Sequence, residues 1–128
     1  MPNASRRGAS TAEVDCAPTV LVGHLVRYDA DNHVDVVDVY DGTKMPVRAL
    51  VIGKPSATRA LIQFSGPIPE GVLGGLSVGV PYYAGAGSVP STSPPAGPLR
   101  RYTQHIGFAT SPSTLVLLFQ NPTIMVSP

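Results

Sequence analysis

The sequence has little of several features that would assign a function directly. Charged residues make up 13% of its 128 residues, about half the share usual in globular domains, and the formal net charge is +1. There is no tryptophan, and Cys16 is the single cysteine. The scattered basic residues give no case for nucleic-acid binding, and one cysteine excludes an intrachain disulfide framework.

Long apolar runs and helical periodicity are also missing. No segment approaches the ~18 apolar residues of a membrane span, and the N-terminal stretch lacks the apolar core of a signal peptide. We therefore expect no membrane partner and synthesis in a cytoplasm. In contrast, 13 Gly and 14 Pro place turns throughout the chain. The pattern predicts an all-β fold, a small antiparallel β-barrel or sandwich.

The chain also contains an internal repeat, which we call the echo. Residues 22–28 (VGHLVRY) are matched by residues 78–83 (VGVPYY), and residues 52–64 are matched by residues 106–119. In each of the longer segments an apolar residue and a glycine precede a turn and a strand ending in phenylalanine. Such self-similarity predicts two related β-units.

These units define the expected domain organisation. They cover about residues 18–66 and 76–128 of a single domain spanning residues 18–128. Residues 1–17 are small and polar without a hydrophobic period, which predicts a flexible N-terminal arm. We expect strands near residues 20–28, 34–40, 47–53, 60–64, 78–84, 100–109, 114–120 and 123–126.

One motif resembles a catalytic one. Residues 75–79 (GLSVG) match the G-x-S-x-G elbow of serine hydrolases. That elbow needs a helix after the serine, whereas Pro81 and a predicted strand follow Ser77. We interpret the glycines as turn residues and expect no enzyme; a small hydrolase using Ser77 remains the least favoured alternative.

Metal-ligating side chains are densest in residues 29–38. This segment departs from a calcium loop, because Val34 stands where glycine belongs and no glutamate closes the loop. The three histidines are too dispersed for a zinc site. We therefore expect no metal and no other cofactor.

The second half, from Leu76 to Pro128, resembles a known class of protein. Its ordered elements are VGVPYY, TSPPAG, QHIGFA and STLVLL, followed by Asn121-Pro122 and a last apolar strand. This series is similar to the small β-rich decoration (cement) proteins of tailed bacteriophages, and to related domains of head fibres and tail appendages. It is an ordered set of short elements rather than a signature motif, and the first half has no such match.

The resemblance implies a non-enzymatic structural protein on the exterior of a virion capsid. Such proteins are typically homotrimers at local three-fold positions, where they bridge capsid subunits against the pressure of packaged DNA. The implied partners are the major capsid protein and other copies of the chain. A weakly charged surface fits this role, and an arm could order on docking.

The family supplies no residue-level site, so the candidate contact residues come from side-chain chemistry. Arginine and tyrosine are favoured at interface hot spots. The candidates are Arg6, Arg7, Pro18, Tyr82, Tyr83, Arg101, Tyr102 and Phe119. For residues 100–102 a second interpretation is equally good, namely protection of a strand edge.

A second virion role stays open. The chain could be a head-fibre base, a tail component or a receptor- or glycan-binding appendage, with residues 85–98 as the recognition loop. The lack of tryptophan and the small number of tyrosines weigh against a glycan-binding surface.

Overall fold

The computed structural model describes residues 10–97 and 100–125. These residues form twelve strands and one short 3-10 helix, Gly42–Lys44, which confirms the all-β prediction. The strands are β1 Thr11–Cys16, β2 Leu25–Ala30, β3 His33–Val36, β4 Ala49–Ser56, β5 Arg59–Gln63, β6 Gly66–Pro67, β7 Pro81–Ala84, β8 Pro90–Ser91, β9 Arg101–Thr103, β10 His105–Ser111, β11 Thr114–Leu117 and β12 Thr123–Met125.

The first five strands close into a barrel in the order β1-β3-β2-β4-β5, with β5 paired back to β1. Four of the pairings are antiparallel, but β1 and β3 run parallel, which departs from the purely antiparallel expectation. The interior is filled by small and β-branched side chains, which suit a narrow barrel. They include Val14, Val20, Val26, Val34, Ala49, Val51, Ala60 and Ile62.

We predicted a flexible arm over residues 1–17, and strand β1 shows that this is wrong for Thr11–Cys16. Val14 and Cys16 are buried and alternate with the exposed Glu13 and Asp15, as in any half-buried strand. The strand is held by five register pairs with β5 and by the ion pairs of Arg59 with Glu13 and Asp15. Residues 1–9 lie outside the described residues.

The second half forms an open sheet in the order β6-β11-β10-β7-β8, and β9 pairs separately with β12. The inner face of the open sheet packs on one side of the barrel, and the two halves share a core. That shared core contains Leu25, Val37, Val39, Val47 and Leu50 from the first half and Tyr82, Ala84, Ile106, Ala109, Leu115 and Leu117 from the second.

The echo in the sequence corresponds to a common arrangement of three strands. A glycine at positive φ, Gly23 at 93° or Gly79 at 79°, lies two residues before the first of these strands, β2 or β7. That strand pairs antiparallel with the first strand of a hairpin, β4-β5 or β10-β11.

The two arrangements differ in register and in closure. In the first unit Leu25 pairs with Leu50, which lies two residues before the start of the repeated segment at residue 52. In the second unit Pro81 pairs with Phe108, which lies two residues after the start of the matching segment at residue 106. The first unit closes into a barrel because β1 bridges β3 and β5, while the second stays open. The two units are therefore similar in strand order and unequal in architecture.

A buried glutamine connects the two halves. Gln104, between β9 and β10, is 2% exposed. Its Oε1 accepts a hydrogen bond from the Val47 N–H at 2.8 Å, and its Nε2 donates to the Val47 carbonyl at 3.2 Å. The side-chain amide thus bonds both backbone groups of a buried residue, as a neighbouring strand would.

We expect Val14→Ala to lower the free energy of unfolding by about 2 kcal/mol, because two buried methyl groups are lost and a cavity remains. Urea denaturation measures this value. Glu13→Ala is the matched control: its ion pair is exposed and costs at most ~1 kcal/mol. If both changes left the free energy of unfolding nearly unchanged, the conclusion that β1 is a stable strand of the barrel would be contradicted.

The second stability prediction concerns the connecting glutamine. Gln104→Met conserves volume but leaves the N–H and carbonyl of Val47 unsatisfied, so we expect a loss of about 2–4 kcal/mol in unfolding free energy. Gln120→Met, on the exposed Gln120, is the control and should change little. A Gln104→Met protein as stable as the control protein would contradict the connecting role.

Candidate partner-binding surface

Charge is distributed very unevenly along the chain. After Glu70 the only charged residues are Arg100 and Arg101, so all 8 acidic residues and the rest of the 9 basic ones lie within residues 1–70. None of the five strands of the open sheet contains an Asp, Glu, Lys or Arg. The open sheet therefore presents an uncharged outer face, unlike the barrel.

A row of apolar side chains crosses this outer face. Val116 faces Pro67 on one side and Phe108 on the other, and Phe108 faces Pro81. Directly opposed residues project to the same side of a sheet, so the four form a continuous row over four strands. Leu118, two residues beyond Val116, projects to the same side. We call these five residues the outer apolar face.

The outer apolar face is exposed, whereas the opposite face of the same strands is buried. Phe108 is 42% exposed and Leu118 is 57% exposed, while Ile106, Leu115 and Leu117 on the inner face are at most 1% exposed. Contiguous apolar surface of this kind marks interaction sites in folded proteins. The arrangement can therefore bury apolar area against a partner.

Gly107 allows strands β10 and β11 to approach closely beneath the outer apolar face. A Cβ atom on Gly107 would lie 2.0 Å from the carbonyl oxygen of Val116, so no larger residue fits between β10 and β11 at that point. The pairing of β10 with β7 is irregular at the same place, between His105 and Gly107. This irregularity directs Phe108 outwards and Ile106 inwards.

The edges of the open sheet are poorly suited to strand addition. Its outer strands, β6 and β8, are two residues long, and each contains a proline, Pro67 or Pro90. Short edges with proline discourage pairing with another chain. We therefore expect association through the outer apolar face rather than through an edge strand.

The candidate contact residues from the sequence do not form one surface. Arg6 and Arg7 lie outside the described residues. Pro18 is exposed in a turn at the barrel, where its carbonyl accepts a hydrogen bond from Lys54 Nζ at 3.1 Å. Tyr83 is half-buried beside the outer apolar face, with its ring centroid 4.3 Å from that of His105.

Tyr82 and Arg101 are corrected from contact residues to interior ones. Tyr82 is 5% exposed, and its hydroxyl accepts a hydrogen bond from the Ser77 N–H at 2.8 Å. Arg101 is 8% exposed and donates from Nε to the Pro95 carbonyl at 2.9 Å and from Nη1 to the Gly97 carbonyl at 3.2 Å. Both side chains hold loops in place.

Tyr102 and Phe119 are half-buried as well. Phe119 packs against the shared core. The Tyr102 ring lies against Gly42, where a Cβ would overlap its hydroxyl, and its backbone N–H donates to the Val39 carbonyl at 2.8 Å. These two residues therefore fix the second half against the first rather than offering a free surface.

Sequence reasoning missed Phe108 and Leu118, the exposed large side chains of the outer apolar face. It selected residues by type, and neither phenylalanine nor leucine on a strand signals exposure. The signal that could have found them is the continuous apolar run of residues 115–119 within the charge-free stretch after Glu70, because alternate residues of a strand face opposite sides and part of such a run must face outwards.

The segment proposed as a recognition loop is tied to the barrel. Ser88 is buried, its Oγ donates to the Val37 carbonyl at 2.5 Å, and its carbonyl accepts from the Leu25 N–H at 2.7 Å. Further along, the Tyr40 hydroxyl donates to the Ala96 carbonyl at 2.5 Å. Residues 85–97 therefore act mainly as a bridge between the two halves.

The other sites that the sequence suggests lack the geometry they need. Ser77 lies in a loop without a preceding strand, unlike the serine of a nucleophile elbow. His33 Nδ1 lies 2.6 Å from Asp29 Oδ1, forming a local pair at the hairpin. Within residues 10–97 and 100–125, no group of three metal-ligating side chains converges.

No family model, curated protein or solved structure matches the chain. In the described part of the chain, no helix has the length and apolarity that crossing a bilayer requires. The functional assignment therefore rests on the surfaces described above and on the sequence elements of the second half.

We expect the outer apolar face to bind the dye ANS in the native state, because the dye reports exposed apolar surface. Phe108→Lys/Leu118→Lys should reduce the fluorescence strongly while changing the unfolding free energy by less than about 0.5 kcal/mol.

Leu21→Lys/Val22→Lys is the matched control for this experiment. Leu21 and Val22 are 57% and 44% exposed, close to the values for Leu118 and Phe108, but they lie at the barrel. Equal loss of fluorescence in both double variants would show that the outer apolar face is not a distinct dye-binding surface.

Proposed function

We propose that this chain is a structural virion protein that binds the outside of a tailed-phage capsid and stabilises the lattice of the major capsid protein. The outer apolar face is the observation that carries the proposal. It is uncharged and exposed, and a capsid surface that covers it removes Phe108 and Leu118 from water. The resemblance of residues 76–128 to decoration proteins supports the same conclusion.

The distribution of charge supports a two-sided molecule. The open sheet carries no charged side chain, whereas the barrel carries the exposed ion pairs of Arg59 with Glu13 and Asp15. In the proposed arrangement the sheet faces protein and the charged barrel faces solvent. Apolar faces supply the core of interfaces, and charged groups are depleted there.

Association as a homotrimer is part of the proposal. One copy buries only a modest apolar area, whereas three linked copies gain avidity without any new contact. A three-fold assembly also matches the local three-fold positions that decoration proteins occupy.

The alternative of a receptor- or glycan-binding appendage is less well supported. Its recognition loop would be residues 85–98, yet Ser88, Ala96 and Gly97 in that segment are engaged in contacts with the rest of the fold. A small hydrolase using Ser77 has even less support. The backbone N–H of Ser77 donates to the Tyr82 hydroxyl, and no strand leads directly into Ser77 as a nucleophile elbow requires.

Cosedimentation with capsids of the virus that encodes the chain, assembled without it, tests the proposal. We expect saturable binding by the native chain. Phe108→Lys/Leu118→Lys should weaken it by at least about tenfold, because a lysine would be desolvated in the contact.

The barrel double variant Leu21→Lys/Val22→Lys is the control and should bind as the native chain does. Native mass spectrometry of the bound protein checks the proposed trimer. Failure of the native chain to bind capsids, or equal weakening by the two double variants, would contradict the proposed function.

A further inference from the structure

A cleft on the outside of the barrel is distinct from the outer apolar face. It has a volume of about 300 Å³ and is lined by two arginines, two hydroxyl-bearing residues and two apolar ones. They are Arg27, Tyr28, Thr43, Met45, Pro46 and Arg48. We propose that this cleft binds a small organic oxyanion, with its phosphate or carboxylate group between Arg27 and Arg48.

The pairing of β2 with β4 brings the two arginines to one cleft. The strands pair through Leu25 and Leu50 and through Val26 and Ala49, and Arg27 and Arg48 are the next residues along the two segments. The Arg48 N–H donates to the Val26 carbonyl at 2.9 Å, which holds Arg48 beside the end of this ladder, and both arginines line the cleft. Two like charges in one cleft repel each other, and an anion between them removes this repulsion.

One guanidinium in the cleft is incompletely satisfied. Arg27 Nε is buried and has no hydrogen-bond partner among the described residues. Buried polar groups in native proteins almost always have a partner, and leaving one unpaired is costly. Arg48 is exposed, and within residues 10–97 and 100–125 neither arginine makes an ion pair.

The neighbouring carboxylates bond elsewhere. Asp35 lies on β3 directly opposite Arg27 of β2, but its Oδ1 accepts from the Val36 N–H at 2.7 Å. Asp41 accepts from the N–H and the hydroxyl of Thr43, and these bonds lower its pKa, with smaller contributions from Lys44 and Arg27. Asp41 is therefore an anion, but it does not line the cleft.

The other walls indicate the kind of ligand. Because the Thr43 hydroxyl already donates to Asp41, Tyr28 supplies the hydroxyl of the cleft that has no partner in the described part of the chain. Met45 and Pro46 supply an apolar wall. Two guanidinium groups bind planar or tetrahedral oxyanions through paired hydrogen bonds. The fit is to an anionic head with a small apolar body.

Titration of the ¹⁵N-labelled full chain with inorganic phosphate and with glutarate, at constant ionic strength, tests the proposal. We expect saturable amide shifts at residues 27, 28, 43 and 48 with at least one of the two anions. Saturation with only one of them identifies the source of the anionic group as phosphate or carboxylate.

Arg48→Gln should weaken this binding by at least about tenfold, since a charged hydrogen bond contributes more than 1.4 kcal/mol. The matched control is Lys44→Gln, which removes the same charge nearby from an exposed residue outside the cleft lining. It should weaken binding less than about threefold, because it acts only through screened attraction. Shifts that do not saturate with either anion, or equal effects of the two variants, would overturn the proposal.

Discussion

The packing of the open sheet on the barrel through one shared core is the constraint on which the rest of the structure depends, and the hydrogen bonds between Gln104 and Val47 are a buried polar link across it. They satisfy both backbone groups of a residue that lies in the shared core, where water is excluded. With this link the inner face of the open sheet packs on the barrel, and its outer face is left uncovered. The exposure of Phe108 and Leu118 is therefore a consequence of how the halves are joined.

Much of the fold could be predicted from the sequence because its turns and strands carry local signals. The hairpin between β2 and β3 is one example: residues 29–32 (DADN) are rich in turn formers, and Asn32, in the two-residue turn, adopts a positive φ. Strand β1 was missed because its local signal is weak. Val14 and Cys16 do alternate with polar residues, but their small and polar surroundings resemble those of a flexible arm, and the partner strand β5 lies far along the chain.

The candidate surface was less predictable than the fold. Tyr82 and Arg101 have the chemistry of interface residues, but their polar groups serve buried loop contacts, and nothing local in the sequence distinguishes these two uses. Phe108 has the chemistry of a core residue, and an irregular pairing next to Gly107 turns it outwards. Exposure here is decided by pairing between distant strands, which residue type does not reveal.

The central claim is that the uncharged outer face of the sheet, whose inner face packs on the barrel, is the surface that contacts a capsid. A cryo-microscopy reconstruction of the virion that contains this chain tests it most directly. The account predicts three copies around each local three-fold axis, with Phe108 and Leu118 against the major capsid protein and the barrel turned to solvent. Density for the chain on the capsid through its barrel, with the sheet facing solvent, would contradict it.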